Sequence, residues 1–374
     1  MYLRTLNLQA FRNYLEQAVD FSAQKIILLG NNAQGKTNLL EAIELLASLK
    51  SHRVTRDRDL ILKGRSTAQI QASIERTYGT NQLALILREK GKRSLKRNQE
   101  SIKRNIDFLG SINAVQFSSL DLRLVRGSPD VRRSWLDTLL VQLEPVYANI
   151  LQHYQQILRQ RNALLKAIRQ EQAQVSTSQL SLWDAQLVAA GSRMTRRRAR
   201  AIARLTPLAQ FWHGRISQET EQLNIQYLPN IESQTDEPEA VQADFFKRLE
   251  ARRIAEKQLG TTVVGPHRDE IEFRINQTPA KSYGSQGQQR TLVLALKLAE
   301  LQLIEEIIGE PPLLLLDDVL AELDPKRQNQ LLAITEDRFQ TFITTTHLNS
   351  FDAQWLKSSQ ILTVVQGQIN RLIA

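Results

Sequence analysis

Residues 26–29, Ile-Ile-Leu-Leu, break off into Gly30-Asn31-Asn32-Ala33-Gln34-Gly35-Lys36-Thr37, and residues 38–49 then place Leu39, Leu40, Ile43, Leu46 and Leu49 at helical spacing. Strand, glycine loop and helix in that order are the context a phosphate-binding loop requires. Gly30 and Gly35 let the backbone wrap so that successive N–H groups face phosphate oxygens, and the helix N-terminus adds a partial positive charge. Lys36 then reaches the β- and γ-phosphates, and Thr37 is a Mg²⁺ ligand. The bland alternative is a glycine turn that happens to carry Lys-Thr; both correct flanks argue against it.

A second half to such a site lies far along the chain. Residues 313–316 are four leucines of buried-strand type that end in Asp317 and Asp318. Ionised carboxylates at the end of a buried strand are costly without partners, and a metal ion with a water would supply them. In phosphoryl transfer the first acid, Asp317, holds the metal and the second, Asp318, orients the attacking water. A helix-capping turn is the alternative for the pair taken alone.

Between the two halves the texture changes twice. Up to about residue 87 the pattern is strand-like: Leu3, Leu6, Leu8 and Phe11, then Ile70, Ala72 and Ile74 in alternation. Residues 51–59 form a polar loop whose Arg53 is near enough to reach a nucleotide, or is an ordinary surface arginine. From Leu120 helical spacing takes over in residues 131–142, 146–169, 180–205 and 241–259, with Gly191 and Pro207 as breaks. The longest helix expected is about 24 residues, roughly 36 Å. Strand signals return at 261–264 and 270–275, followed by a helix over 291–308. The expected division is 1–119 with 260–374 as an α/β domain of mixed sheets, and 120–259 as an inserted helical arm. No role for His267, in Gly-Pro-His-Arg-Asp 265–269, follows from the sequence.

The chain of 374 residues has no cysteine, which excludes disulfides, thiolate metal sites and thiol nucleophiles. No apolar run reaches the ~18 residues of a membrane span and the N-terminus does not read as a signal peptide, so a cytoplasmic protein is expected. The net charge of +10 favours a polyanionic partner. Basic residues concentrate in 88–104 and in the six arginines of 193–204. Each reads either as a solvated face or as a contact for DNA phosphates; two clusters on a basic chain favour DNA.

Taken together these motifs resemble the ABC-type ATPases: residues 30–37 a Walker A motif, 313–318 a Walker B motif, Gly284-Ser285-Gln286-Gly287-Gln288 the signature, 321–324 the D-loop. Phe-Arg-Asn-Tyr 11–14, Ser-His-Arg 51–53, Gly-Pro-His-Arg-Asp-Glu 265–270 and the stretch 285–300 are similar to the RecF family of recombination mediators. The resemblance implies ATP and Mg²⁺ as cofactors, with residues Gly30 to Asn38 around the nucleotide. It makes Gln116 a Q-loop residue near metal and water, His347 the switch histidine, and Arg12 and Arg53 phosphate contacts. Ser285, Gly287 and Gln288 of one copy are implied to cap ATP held by the other, so that ATP drives a head-to-head homodimer on DNA.

It also implies DNA repair, replication and the SOS response as setting. Gapped DNA and single-/double-strand junctions are the implied substrates, RecR the protein partner with RecO and RecA in the pathway, nucleoid association the location, and no membrane is involved. Two departures stand out: Gly284 replaces the signature's leading leucine, and Asp318 replaces a glutamate. The shorter acid implies slow, switch-like hydrolysis. Other readings of the motif set are the ATPase subunit of a membrane transporter and a nucleotide-gated protein scaffold.

Overall fold

The computed structural model describes residues 1–170, 177–335, 338–349 and 351–372. Its strands, in chain order, are β1 (Tyr2–Phe11), β2 (Tyr14–Asp20), β3 (Lys25–Leu29), β4 (Thr67–Arg76), β5 (Gly79–Arg88), β6 (Ser94–Arg97), β7 (Glu100–Ile102), β8 (Ala114–Ser118), β9 (Leu223–Leu228), β10 (Glu270–Ile275), β11 (Thr278–Pro279), β12 (Leu313–Asp317), β13 (Thr341–Thr345), β14 (Ser359–Val365) and β15 (Gln368–Arg371). The chain forms two compact units: residues 1–122, 211–220 and 290–374 make the first, and 123–210 with 221–289 the second.

The first unit holds two sheets. One is antiparallel, in the order β2-β1-β4-β5-β6-β7. Leu3, Leu6 and Leu8 are all buried although their spacing breaks strict alternation, because the β1–β4 register shifts between Leu3 and Thr5. The other sheet runs β15-β14-β3-β13-β12-β8, with parallel pairing from β14 through to β8. Its central strands are buried along nearly their whole length, which is why Ile26 to Leu28, Leu313 to Leu316 and Phe342 with Ile343 read as unbroken apolar runs. Helix Lys36–Ser48 follows β3 and is buried almost all round, wider than the one face expected from its leucines.

The second unit combines helices Pro129–Leu143, Val146–Arg169 and Pro238–Leu259 and most of Thr177–Ser217 with a three-stranded antiparallel sheet, β11-β10-β9. Gly191 and Pro207 do not break the last of these helices. It runs 41 residues, on the order of 60 Å at 1.5 Å per residue, against the expected 24. Gly191 is there for close packing: a Cβ would lie 2.4 Å from the Phe245 ring and 3.1 Å from that of Tyr154.

The dividing line between units differs from the expected one for a definable reason. β10 pairs along its length with β9, a strand the sequence did not suggest, so residues up to 289 stay with the helices. Residues 261–264 are not a strand. Thr262 instead accepts from buried Arg161, whose guanidinium also donates to Asp184 (2.8 Å) and Glu256 (2.6 Å). A second buried arginine, Arg198, donates to Asp137 and Asp269 (both 2.9 Å) and to the Pro266 carbonyl (2.6 Å). Asp269 also accepts from Tyr227 and the Asn230 amide, so every charge in this group is answered.

His267 belongs to the same network. Its Nε2 faces the Thr262 carbonyl (3.1 Å) and must carry the proton, leaving Nδ1 to accept from Tyr154 Oη (2.7 Å). Burial, against the pull of the Thr262 carbonyl and with nearby Arg268, Arg133 and Arg161, lowers its pKa to about 4. A base with a depressed folded value is protonated first in the unfolded chain. Its contribution is therefore full above the unfolded value of ~6.5 and is lost as pH falls toward 4, at up to about 1.4 kcal/mol per pH unit. Urea titrations at pH 7 and pH 5 should show the parent losing more stability between the two than His267→Gln does. Equal losses would contradict a buried neutral imidazole.

Candidate nucleotide site

The phosphate loop leaves the C-terminal end of β3, where ligand crevices of parallel sheets open. Ala33 (φ 63°) and Gly35 (φ 119°) are left-handed, curling the backbone over the N-terminus of helix Lys36–Ser48. Gly35 is also the close-approach position, since a Cβ there would sit 2.7 Å from the Asn13 amide. Lys36 Nζ donates to the Gly30 (2.7 Å) and Asn31 (3.0 Å) carbonyls, bridging the mouth of the loop, while Asn31, Asn32 and Ala33 are exposed.

Two supports under the loop were not anticipated. Asn13 donates to the Gln34 carbonyl (2.9 Å) and accepts from Asn38 (2.8 Å), and Tyr14 Oη donates to the Gly35 carbonyl (2.9 Å). From the other end of the chain, the turn between β14 and β15 sends the Gly367 amide to the Gln34 carbonyl (2.9 Å) and the Gln366 amide to Gln34 Oε1 (2.7 Å). The Phe-Arg-Asn-Tyr motif was visible in the sequence, but its task as a floor was not.

Thr37 Oγ1 donates to Asp317 Oδ1 (2.8 Å), joining helix and β12. Thr344, on neighbouring β13, donates to the same oxygen (2.9 Å) and accepts from the Asp318 amide (2.8 Å). Burial and, less strongly, the adjacent Asp318 push the Asp317 carboxyl up, against the two hydroxyl hydrogen bonds that favour its charge. Asp318 is held at φ 53°, in the left-handed region that aspartate tolerates better than most residues. Gln116 lies one strand over on β8, opposite Leu315, with its Oε1 buried and without a protein partner. Hard oxygens from Thr37, Asp317 and Gln116 fit Mg²⁺, which takes few protein ligands and completes its shell from phosphate and water. Among the described residues no cluster of three or more His, Asp or Glu could hold an ion by itself.

The arginines are placed differently. Arg12 donates twice to Glu41 (2.7 and 2.8 Å) and once to the Asp59 carbonyl (2.8 Å). Although burial alone would raise it, the Glu41 carboxyl is held below the usual range by bonds from Arg12 and Ser51. Arg53 donates to Asn38 (2.8 Å) and remains more exposed. His347 follows β13 with its side chain exposed, its backbone closed by a Thr345 hydroxyl bond to its carbonyl (2.8 Å).

Ser285, Gly287 and Gln288 belong to the second unit, whereas Lys36, Thr37, Asp317, Asp318, Gln116 and His347 belong to the first. The helix expected from Thr291 begins at Gln286, so Gly287 and Gln288 lie in its first turn. Ser285 and Gln288 form a reciprocal capping box, Gln288 N–H to Ser285 Oγ (3.2 Å) and Ser285 N–H to Gln288 Oε1 (2.8 Å). The unusual Gly284 has a local cause, since a Cβ there would meet the Ala280 carbonyl at 2.6 Å.

Of the two basic clusters, the arginines of 193–204 are paired in part within the fold. Arg196 and Arg200 share Asp236, Arg197 pairs with Glu144, and Arg198 is buried. Arg193, Arg200 and Arg204 remain exposed. In the 88–104 cluster Arg93 is bound to Asp57 and Arg104 to Asp107, but Lys90, Lys92, Lys96 and Lys103 are exposed and without acidic partners.

Residues 2–370 match the family model described as the RecF/RecN/SMC N terminal domain. The chain is 68% identical, over 99% of both chains, to the DNA replication and repair protein RecF of Gloeothece citriformis. A solved structure described as the recombination mediator protein RecF with ATP, in the RecFOR pathway, superposes with a TM-score of 0.92 at 30% identity, covering 100% of this chain and 98% of that one. An Smc head domain from Pyrococcus furiosus gives 0.56 at 15% identity over 99% and 96%, a likeness of fold alone. No described helix is long and apolar enough to cross a membrane.

Proposed function

The chain belongs to the RecF/RecN/SMC N-terminal domain family, and from that membership we propose an ATP-dependent DNA-binding protein of replication and recombinational gap repair. The observation that carries the reading is that the glycine loop held by Lys36 and the Thr37–Asp317 hydrogen bond lie together at the C-terminal end of one parallel sheet. The fold is that of an ABC-type ATPase head of the SMC kind, and ATP is its nucleotide.

Lys36 and the loop amides bind the β- and γ-phosphates. Thr37 and Asp317, with Gln116, hold Mg²⁺, which neutralises phosphate charge when bound. Asp318 orients the hydrolytic water, and its short side chain suits a slow ATPase used as a switch. His347 stands at the same strand ends to contact the γ-phosphate. Ser285, Gly287 and Gln288 act on the nucleotide of a second copy: the capping box leaves the Ser285 hydroxyl hydrogen and first-turn amides available to an anion. ATP then closes a homodimer on DNA at gaps and single-/double-strand junctions, and hydrolysis reopens it. RecR is the partner expected at that step, with RecO and RecA downstream, in the cytoplasm on the nucleoid.

The exposed lysines between β5 and β6, on β6 and just after β7 make that end of the antiparallel sheet the DNA-facing surface. Duplex binding with ATP should therefore weaken steeply with salt, with a slope of about −0.9 per phosphate contacted. Lys92→Ala with Lys96→Ala should flatten the slope by about two. An unchanged slope in the double variant would move DNA to another face, and a parent with no slope would favour a protein scaffold.

A further inference from the structure

Residues 51–53 fold back on the polar side of helix Lys36–Ser48. Ser51 Oγ donates to Glu41 (2.5 Å), Arg53 to Asn38 (2.8 Å), and His52 Nδ1 lies 2.7 Å from Glu44 Oε2. The His52 side chain is only 22% exposed and that of Glu44 18%. Across from Glu44, His52 Nε2 stands 3.5 Å from Gln116 Nε2, while the other end of that amide, Oε1, is buried without a partner.

The chemistry of the three groups fixes their order. Glu44 as a carboxylate can only accept, so the shared proton sits on His52 Nδ1. Gln116 turns its amide nitrogen to His52 Nε2, and since that nitrogen can only donate, the ring accepts there. That leaves the carbonyl oxygen as the free end of the amide. A buried carbonyl oxygen left unanswered is a cost that a bound cation would relieve, and β8 is the strand next to Asp317.

We propose that His52, held by Glu44, is a positioning residue that turns the Gln116 amide so that Oε1 is the atom offered to the metal–nucleotide complex. The proposal rests on the nucleotide reading given above. Groups that orient a metal ligand through a hydrogen bond typically change metal affinity or activity 10–100-fold when removed.

The test is a double-mutant cycle read by ATP binding, with the affinity of each variant measured in Mg²⁺ and in EDTA. His52→Ala and Gln116→Ala should each cut the gain in affinity that Mg²⁺ gives by about tenfold. In the Gln116→Ala background His52→Ala should cut it no further. His52→Gln, whose amide can still accept from Gln116, should recover part of the gain, and melting temperatures show whether each variant is folded. Effects that multiply in the double variant, or a His52→Ala protein with the full gain while Gln116→Ala has lost it, overturn the positioning role alone. A full gain in Gln116→Ala overturns both this role and the assignment of Gln116 to the metal.

Discussion

Lys36→Ala binds ATP about 10²-fold more weakly than the parent, the loss expected when one partner of a buried, charge-assisted contact is removed. Lys36 is 4% exposed, and two of its three N–H donors are already engaged by loop carbonyls. Its ammonium is thus held in place before nucleotide arrives, with one donor left for a phosphate oxygen. The change should spare the fold: Lys36 is the first residue of its helix, and alanine is at least as good a helix former. Calorimetry with ATP and a melting curve on the same variant separate the two effects. Near-parent affinity in a folded Lys36→Ala protein would remove the phosphate role from the loop.

The second large effect belongs to Ser285. Ser285→Arg should abolish the ATP-dependent dimer while leaving the monomer's ATP affinity unchanged, since the signature is assigned to the partner's nucleotide. Ser285 is exposed, so the longer side chain harms the isolated chain only through loss of the capping box, about 1 kcal/mol. Ser285→Ala loses the same cap without adding bulk or charge. It should still dimerise, though more weakly, and a Ser285→Arg protein that dimerises like the parent would place the signature elsewhere.

How much of this could be read from the sequence depended on how local each feature is. The phosphate loop was legible because strand, glycines and helix are contiguous, and Asp317-Asp318 because two acids after four leucines have no packing role. Arg198 misled because a run of arginines looks alike whether solvated or paired; its partners Asp137 and Asp269 lie 61 and 71 residues away. Pro207 misled in the opposite sense, since a helix already packed on both sides of the proline can absorb the lost hydrogen bond. β9 was missed because it is only six residues long, and its identity as a strand comes from pairing with β10. The floor under the loop joins residues 13, 34 and 367 and is invisible until the sheets form. Thr344, in a run of threonines, carries no local sign of its bond to Asp317.

Sedimentation of the parent chain without nucleotide, with ADP and with ATP, each with Mg²⁺, bears most directly on the proposed switch. A monomer in the first two conditions and a dimer with ATP, lost again in Lys36→Ala, is the expected result. The same dimer fraction in all three conditions, or a Lys36→Ala chain that dimerises like the parent, would mean that ATP does not close two copies of this chain.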